Sequence, residues 1–191
     1  MFWANKKETT LNFKETISRD TEQNPKLKNY HIPLQKILDS LGIDKKSTRL
    51  FVSKSNYVLS VKKGESILKT YPVVFGTNPV DDKRQEGDRC TPEGVFRVKA
   101  KYPHKSWSKF IWFDYPNKES YKKFDEAKRL GKIPQDATIG GEVGIHGVPK
   151  GHDNAIDQRN NWTWGCISLK NKDVDEIYNA TFEGMKIEII H

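Results

Sequence analysis

Cysteine is scarce in this chain, with two residues, Cys90 and Cys166, among 191. A scaffold stapled by several disulfides is excluded at that size and count, and a single Cys90–Cys166 bridge is the one pairing the count allows. The zinc spacings Cys-x-x-Cys and His-Glu-x-x-His are absent. His146, His152, Asp153 and Cys166 could supply N, O and S ligands, but their spacing is irregular, and no metal is expected. No apolar run approaches the ~20 residues needed to span a bilayer, so stable membrane insertion is not expected. The opening Met1-Phe2-Trp3-Ala4-Asn5-Lys6-Lys7 has neither the basic n-region nor the apolar h-region of a secretion signal. There is no internal repeat and no low-complexity tract.

What is present is an ordinary soluble composition. Hydrophobic residues at 35% against 30% charged leave enough apolar side chains for a core and argue against disorder. A length of 191 residues suits one domain plus an extension. The net charge of +8, from 33 Lys+Arg against 25 Asp+Glu, would suit any polyanion. The lysines are scattered rather than striped and no nucleic-acid-binding motif accompanies them, so a solvated basic surface is expected and no nucleic-acid partner.

Periodicity divides the chain. Residues 1–30 are polar without a sustained period and read as a tail or loosely packed extension. Over 32–42, Leu34, Ile37, Leu38 and Leu41 recur at helical spacing between Pro33 and Gly42, which predicts a short helix. From Leu50 the period becomes two: Leu50 and Val52, then Tyr57, Leu59 and Val61, a turn at Lys63-Gly64-Glu65, and an apolar run from Ile67 to Phe75. Val95 to Val98, Ile139 to Ile145, Cys166 to Leu169, and Met185, Ile187 and Ile189 read as further strands. Asn117 is placed to cap a helix bearing Tyr121, Phe124, Ala127 and Leu130, ended by Gly131. Asn171 is placed to cap another, bearing Val174, Ile177 and Tyr178, with acids in its first turns. The predicted fold is mainly β, a sheet sandwich or partly closed barrel with a few short helices.

The chemistry concentrates in Gly144-Ile145-His146-Gly147 and in Asn161-Trp162-Thr163-Trp164-Gly165-Cys166-Ile167-Ser168-Leu169. Cysteine attacks carbonyls as a thiolate, and imidazole is the natural acceptor of its proton. Gly165 leaves nearby backbone N–H groups open to a developing oxyanion. The Gly147 carbonyl is placed to accept the second imidazole N–H and fix the tautomer. The structural alternative is a Cys166 that is simply a small buried hydrophobe and a His146 that is a hydrogen-bonded core residue. Spacing alone leaves both readings open.

A third segment, Gly87-Asp88-Arg89-Cys90-Thr91-Pro92-Glu93-Gly94-Val95-Phe96, completes a pattern. Together the three resemble the L,D-transpeptidase catalytic domains of the YkuD type, whose members carry Gly-Asp-x-x-Thr-Pro-x-Gly-x-Phe/Tyr, then Ile-His-Gly, then Ser/Thr-His-Gly-Cys. Tyr71-Pro72-Val73-Val74-Phe75-Gly76 and Leu169-Lys170-Asn171-Lys172-Asp173 extend the resemblance over roughly residues 49–191. The resemblance implies Cys166 as nucleophile, His146 as base, Gly147 as the carbonyl that orients it, and Gly165 and Cys166 as oxyanion donors. Two positions depart from the family: Trp164 stands where many members have a second His, and Ser168 where many have Arg or Asn. A branch with Asp/Asn-Trp-Thr-x-Gly-Cys-Ile shares the first departure. Trp164, Thr163, Ser168 and Arg159 are therefore the expected substrate contacts, with Arg159 or Arg89 replacing the missing arginine. Trp162 and Trp164 divide between cleft wall and core, and Lys101 to Leu130 is expected to border the cleft.

The resemblance implies an N-terminal extension with one short helix over 1–48 and a catalytic domain over 49–191. It implies acyl transfer without a cofactor, on peptidoglycan stem peptides. An L,D peptide bond breaks through a thioester, and the acyl group passes to an amine acceptor, either a second stem peptide or a wall-attached protein. It also implies a place in the bacterial cell envelope. The alternatives are an L,D-carboxypeptidase using water, a catalytically inactive wall-binding module, and a zinc hydrolase. An activated Cys166 is expected to alkylate below the free-thiol range, near 8.5, and faster than Cys90.

Overall fold

Alternation of apolar and polar residues builds the first three strands, β1 (Arg49–Ser53), β2 (Val58–Lys63) and β3 (Ser66–Pro72). They form an antiparallel meander in which Leu50 faces Val61 and Leu59 faces Tyr71. The computed structural model describes residues 27–191, so the part of the expected polar tail at 1–26 lies outside the described residues. Five more strands follow: β4 (Gly94–His104), β5 (Ser108–Phe113), β6 (Gly144–His146), β7 (Ile167–Ser168) and β8 (Lys186–Ile190).

All eight join one mixed sheet in the order β3-β2-β1-β8-β4-β5-β6-β7, and the mainly β expectation holds. The last strand of the chain sits in the middle, parallel to β1 and antiparallel to β4. The long β4 belongs to two halves: Gly94 to Arg97 pair with β8, and Val98 to His104 pair with β5 across a bulge. The ladder does not close. Just past β3, however, Val74 exchanges both backbone hydrogen bonds with Ser168 of β7, at 3.0 and 2.9 Å, tying the two sheet ends together. The enclosed core includes Leu50, Val61, Tyr71, Phe113, Ile145, Ile167 and Ile187.

Among the described residues four α-helices dress the sheet: α1 (Leu34–Ser40), α2 (Lys118–Arg129), α3 (Asn154–Asp157) and α4 (Asn171–Ala180). α1 ends before Leu41, which lies exposed. Its first N–H, on Leu34, donates to Glu176 of α4 at 2.6 Å. Asn117 caps α2 as expected, accepting from Glu119 and Ser120. Asn171 does not cap α4. It is the first helical residue, its N–H donates to Asp153 at 2.8 Å, and its side chain accepts the Val148 N–H at 3.2 Å. The helix start is thereby fastened to the loop that follows β6.

Candidate active site

Parallel pairing of β6 with β7 brings the separated motifs together. Ile145 registers with Ile167, and His146 with Ser168. Side chains alternate faces along a strand, so His146 and Ser168 share a face, and Cys166 immediately precedes β7. The imidazole is 2% exposed. It stacks on Trp107, with ring centroids 4.4 Å apart, and lies parallel to Phe110 at 5.9 Å, while Trp162 meets it edge-on at 5.5 Å. Its Nδ1 lies 2.7 Å from the Gly147 carbonyl. A carbonyl only accepts, so Nδ1 carries the proton and Nε2 keeps the lone pair that a general base needs. Ser168 Oγ donates to the same carbonyl at 3.1 Å.

The loop before the nucleophile is equally constrained. Gly165 has φ +132°, and a Cβ there would stand 2.6 Å from the Cys90 carbonyl oxygen, so no side chain fits. Thr163 Oγ1 donates to the Cys166 carbonyl at 2.7 Å and accepts the Gly165 N–H at 3.2 Å. The Cys166 N–H forms no hydrogen bond among the described residues and is the donor left free beside the sulfur. The thiol itself donates to the Glu142 carbonyl at 3.8 Å, and no hydrogen bond joins it to the imidazole.

Burial sets both resting protonation states. Desolvation holds the His146 imidazole down to about 4, against the Gly147 hydrogen bond that favours its protonated form. Crowding by protein pushes the Cys166 thiol up to about 11, opposed by the Gly144 N–H and the Lys83 ammonium. The cysteine nevertheless keeps a partly exposed surface at the cavities. Both shifts favour the neutral thiol and the neutral imidazole at rest. Cys90 is buried, its thiol also pushed up to about 11, and the two cysteines are free rather than bridged.

Two clefts meet at the sulfur. One, of about 320 Å³, is walled by Tyr102, His104, Trp107, Phe110 and Trp112 from the β4–β5 hairpin. The other, of about 210 Å³, is walled by Lys83, Glu86, the glycines at 87, 140 and 141, and Trp164. Cys166 and Glu142 line both. The indole N–H of Trp112, in the aromatic cleft, is a buried donor without a partner among the described residues.

The expected substrate contacts divide. Trp164 is 74% exposed and lines the polar cleft, with the Arg89 guanidinium stacked 3.8 Å over its ring. Thr163 and Ser168 are buried with their hydroxyls spent on the loop and on the Gly147 carbonyl, so they brace the site instead of facing a ligand. Arg159 lies over Tyr57 at 5.2 Å; neither it nor Arg89 lines these two clefts, but Arg89 stacks on Trp164, which does. Of the segment from Lys101 to Leu130, the hairpin borders the cleft, while α2 packs Phe124 and Ala127 on Ile133 elsewhere. His152 and Asp153 do not join Cys166: His152 turns to the Lys150 carbonyl and Asp153 to Asn171. Sequence reasoning missed His104, Glu142 and Lys83. The only signal for Lys83 was its closeness to the Gly-Asp segment.

No curated protein matches the chain. Among solved structures, the helical cell shape determining protein Pgp2 from Campylobacter jejuni is 20% identical with a TM-score of 0.53, the match covering 84% of this chain and 56% of that one. Bd1075 from Bdellovibrio bacteriovorus is 21% identical with a TM-score of 0.51, covering 75% of this chain and 48% of that one. The chain thus spans about half the length of these structures, and at such identity the likeness carries the fold. No described helix is long and apolar enough to cross a membrane. The model of the YkuD family, the L,D-transpeptidase catalytic domain, matches residues 47–189, three quarters of the chain, and the chain belongs to that family.

Proposed function

We propose that this protein is a cysteine acyl-transferase of peptidoglycan stem peptides, working in the cell envelope, with residues 49–191 as its catalytic unit. The observation that carries the reading is the β6–β7 register. It supports the reading by registering His146, whose tautomer the Gly147 carbonyl fixes, with Ser168, two residues from the cleft-lining Cys166.

Because thiol and imidazole are both neutral at rest, proton transfer accompanies attack. Cys166 Sγ bonds to the carbonyl carbon of the L-centre as its proton passes to His146 Nε2. The Cys166 N–H, preorganised by the Thr163 brace, faces the developing oxyanion. Collapse breaks the L,D amide bond, His146 returns the proton to the leaving amine, and a thioester remains. An amine acceptor then attacks the thioester, giving up a proton to His146 and regenerating the thiol. Two clefts meeting at one sulfur favour transfer over hydrolysis, since one can keep the acyl chain while the other admits the acceptor. The aromatic wall suits the aliphatic stem of a peptide.

The test is the mass of the Cys166 peptide after incubation with a stem tetrapeptide or a carbapenem-like acylating agent. An acyl adduct is expected on the wild type and none on Cys166→Ala. Products with and without added amine separate transfer from hydrolysis. Undiminished turnover in Cys166→Ala would end the proposal.

A further inference from the structure

The polar cleft contains a cation that the fold does not fully use. Lys83 is 7% exposed, yet it walls the cleft that Cys166 shares. An ammonium has three N–H donors. Two are spent, on the Gln85 carbonyl at 3.0 Å and on Asp88 at 2.9 Å. The third has no partner among the described residues, and a buried charged donor left unpaired is costly unless a ligand or water completes it. Asp88 does not hold the lysine as a simple neutralising partner. It also accepts the N–H groups of Arg84, Gln85 and Cys90, at 2.6, 2.9 and 3.0 Å, so its charge is shared over a turn.

The rest of the lining narrows what the free donor can take. Glu86 is occupied by Thr138 at 2.6 Å, and Glu142 stands exposed at the mouth with Cys166. Asp88, Glu86 and Glu142 outnumber Lys83 and Arg89, which disfavours a phosphate or any polyanion, so what the cleft offers is one directed hydrogen bond from the free Lys83 donor to a single carboxylate. Arg89 on Trp164 adds positive charge at the rim. The cleft is floored by glycines and has room for an amino-acid-sized group. Lys83 and Cys166 line the same cleft.

We propose that the Lys83 ammonium is the carboxylate-recognising group of the polar cleft, holding the carboxylate of a peptide or amino acid brought to Cys166. This deepens the proposed acyl transfer and rests on it for the nature of the ligand. The carboxylate has two candidate sources, the terminal D-residue of the donor peptide and the amino-acid acceptor.

The experiment is titration calorimetry on Cys166→Ser protein, which binds without turning over. The ligands are a stem tetrapeptide against its C-terminal amide, and a free D-amino acid against its amide. One acid is expected to bind about 10-fold more tightly than its amide, the size of a hydrogen bond to a charged group. The pair that discriminates names the source. Adding Lys83→Met should bring that ratio close to one. Equal binding of acid and amide in both pairs, a ratio unchanged by Lys83→Met, or no binding of any ligand would overturn the proposal. The ratio on Cys166→Ser alone needs no change at position 83, so a poorly folded Lys83→Met does not rescue it. Acylation of the wild-type Cys166 is scored separately, so failure at Lys83 is distinguishable from failure of the acyl-transfer reading.

Discussion

The two walls that meet at Cys166 are built on opposite principles. The aromatic wall is a continuous hairpin, β4 and β5 paired from Val98–Phe113 to His104–Ser108. Its rings form a stack in which His104 lies 4.3 Å from Trp107, and Trp107 lies 4.4 Å from His146. The polar wall between β3 and β4 has no regular strand, only isolated bridges from Val74 to Ser168, from Gly76 to Thr163 and from Asn78 to Cys90. Buried charge anchors it instead. Lys54, with a fully buried side chain, donates to the carbonyls of Val80, Asp81 and Thr91 and to Glu93, the closest at 2.7 Å. A strand ladder and dispersion contacts suffice where the cleft can be apolar. A polar cleft cannot be packed shut, so its loop is held by ions whose partners are backbone carbonyls.

The largest effect tests what the aromatic wall holds. His146→Ala removes the base while the stack of His104 on Trp107 can remain, and turnover of a stem tetrapeptide should fall about 10²–10⁴-fold, the usual contribution of a general base. Full retention would mean that the wall holds a structural histidine. The polar wall is tested next, by stability. Lys54→Met leaves three carbonyls and Glu93 without their cation and should cost about 3 kcal/mol in urea unfolding, as breaking a buried pair does. The near-UV circular dichroism of the aromatic stack should survive the change. Loss of both signals together would show that the walls are one cooperative unit.

A third effect sharpens the comparison through pH. Burial holds the His146 imidazole near 4, below its ordinary 6.5, so the base stays neutral and competent well into acid. The acid limb of the rate profile should therefore fall near pH 4. The same depression links to stability: the contribution is fully present above 6.5 and is lost as pH falls from 6.5 through about 4, because the unfolded imidazole takes the proton first. Trp107→Leu opens one face of the ring to water and should raise the acid limb toward 6.5. An unmoved limb would mean that Phe110 and Trp162 alone keep the imidazole dry.

Much of this was legible in the sequence where local chemistry demands a residue type. Alternation marked β1 to β3 and β8, and helical spacing with Asn117 marked α2. The three motifs marked Gly87 to Phe96, His146 with Gly147, and Gly165 with Cys166. Strand β5 was not legible because Phe110-Ile111-Trp112-Phe113 is buried between two neighbouring strands and shows no alternation. The pairing of β6 with β7 was not legible because these strands are three and two residues long, too short for any period, and their pairing is parallel and nonlocal. Lys83 reads as one more surface lysine in Asp81-Asp82-Lys83-Arg84. Only the fold of Asp88 around the turn buries it. The hydrogen bonds that occupy the Thr163 and Ser168 hydroxyls were not legible, since a hydroxyl that braces and one that binds leave the same letter in a sequence.

The smallest effect separates the two arginines that could serve the polar wall. Arg159 has φ +51° and lies over Tyr57, whose hydroxyl accepts from Asn161. Asn161 in turn accepts the Phe75 N–H at 2.9 Å, so Arg159 touches the site only through a structural relay. Arg159→Ala should therefore cost no more than ~0.5–1 kcal/mol, the value of an exposed cation over a ring, and leave turnover unchanged. Arg89→Ala removes the guanidinium from Trp164 at the rim of the cleft and should weaken capture of a charged peptide, with a loss that shrinks as salt is raised. Equal turnover of the two variants across a salt series would place the rim charge outside the substrate's path. A loss with Arg159→Ala alone would put the missing arginine of the family on the Tyr57 side and break the division into two walls.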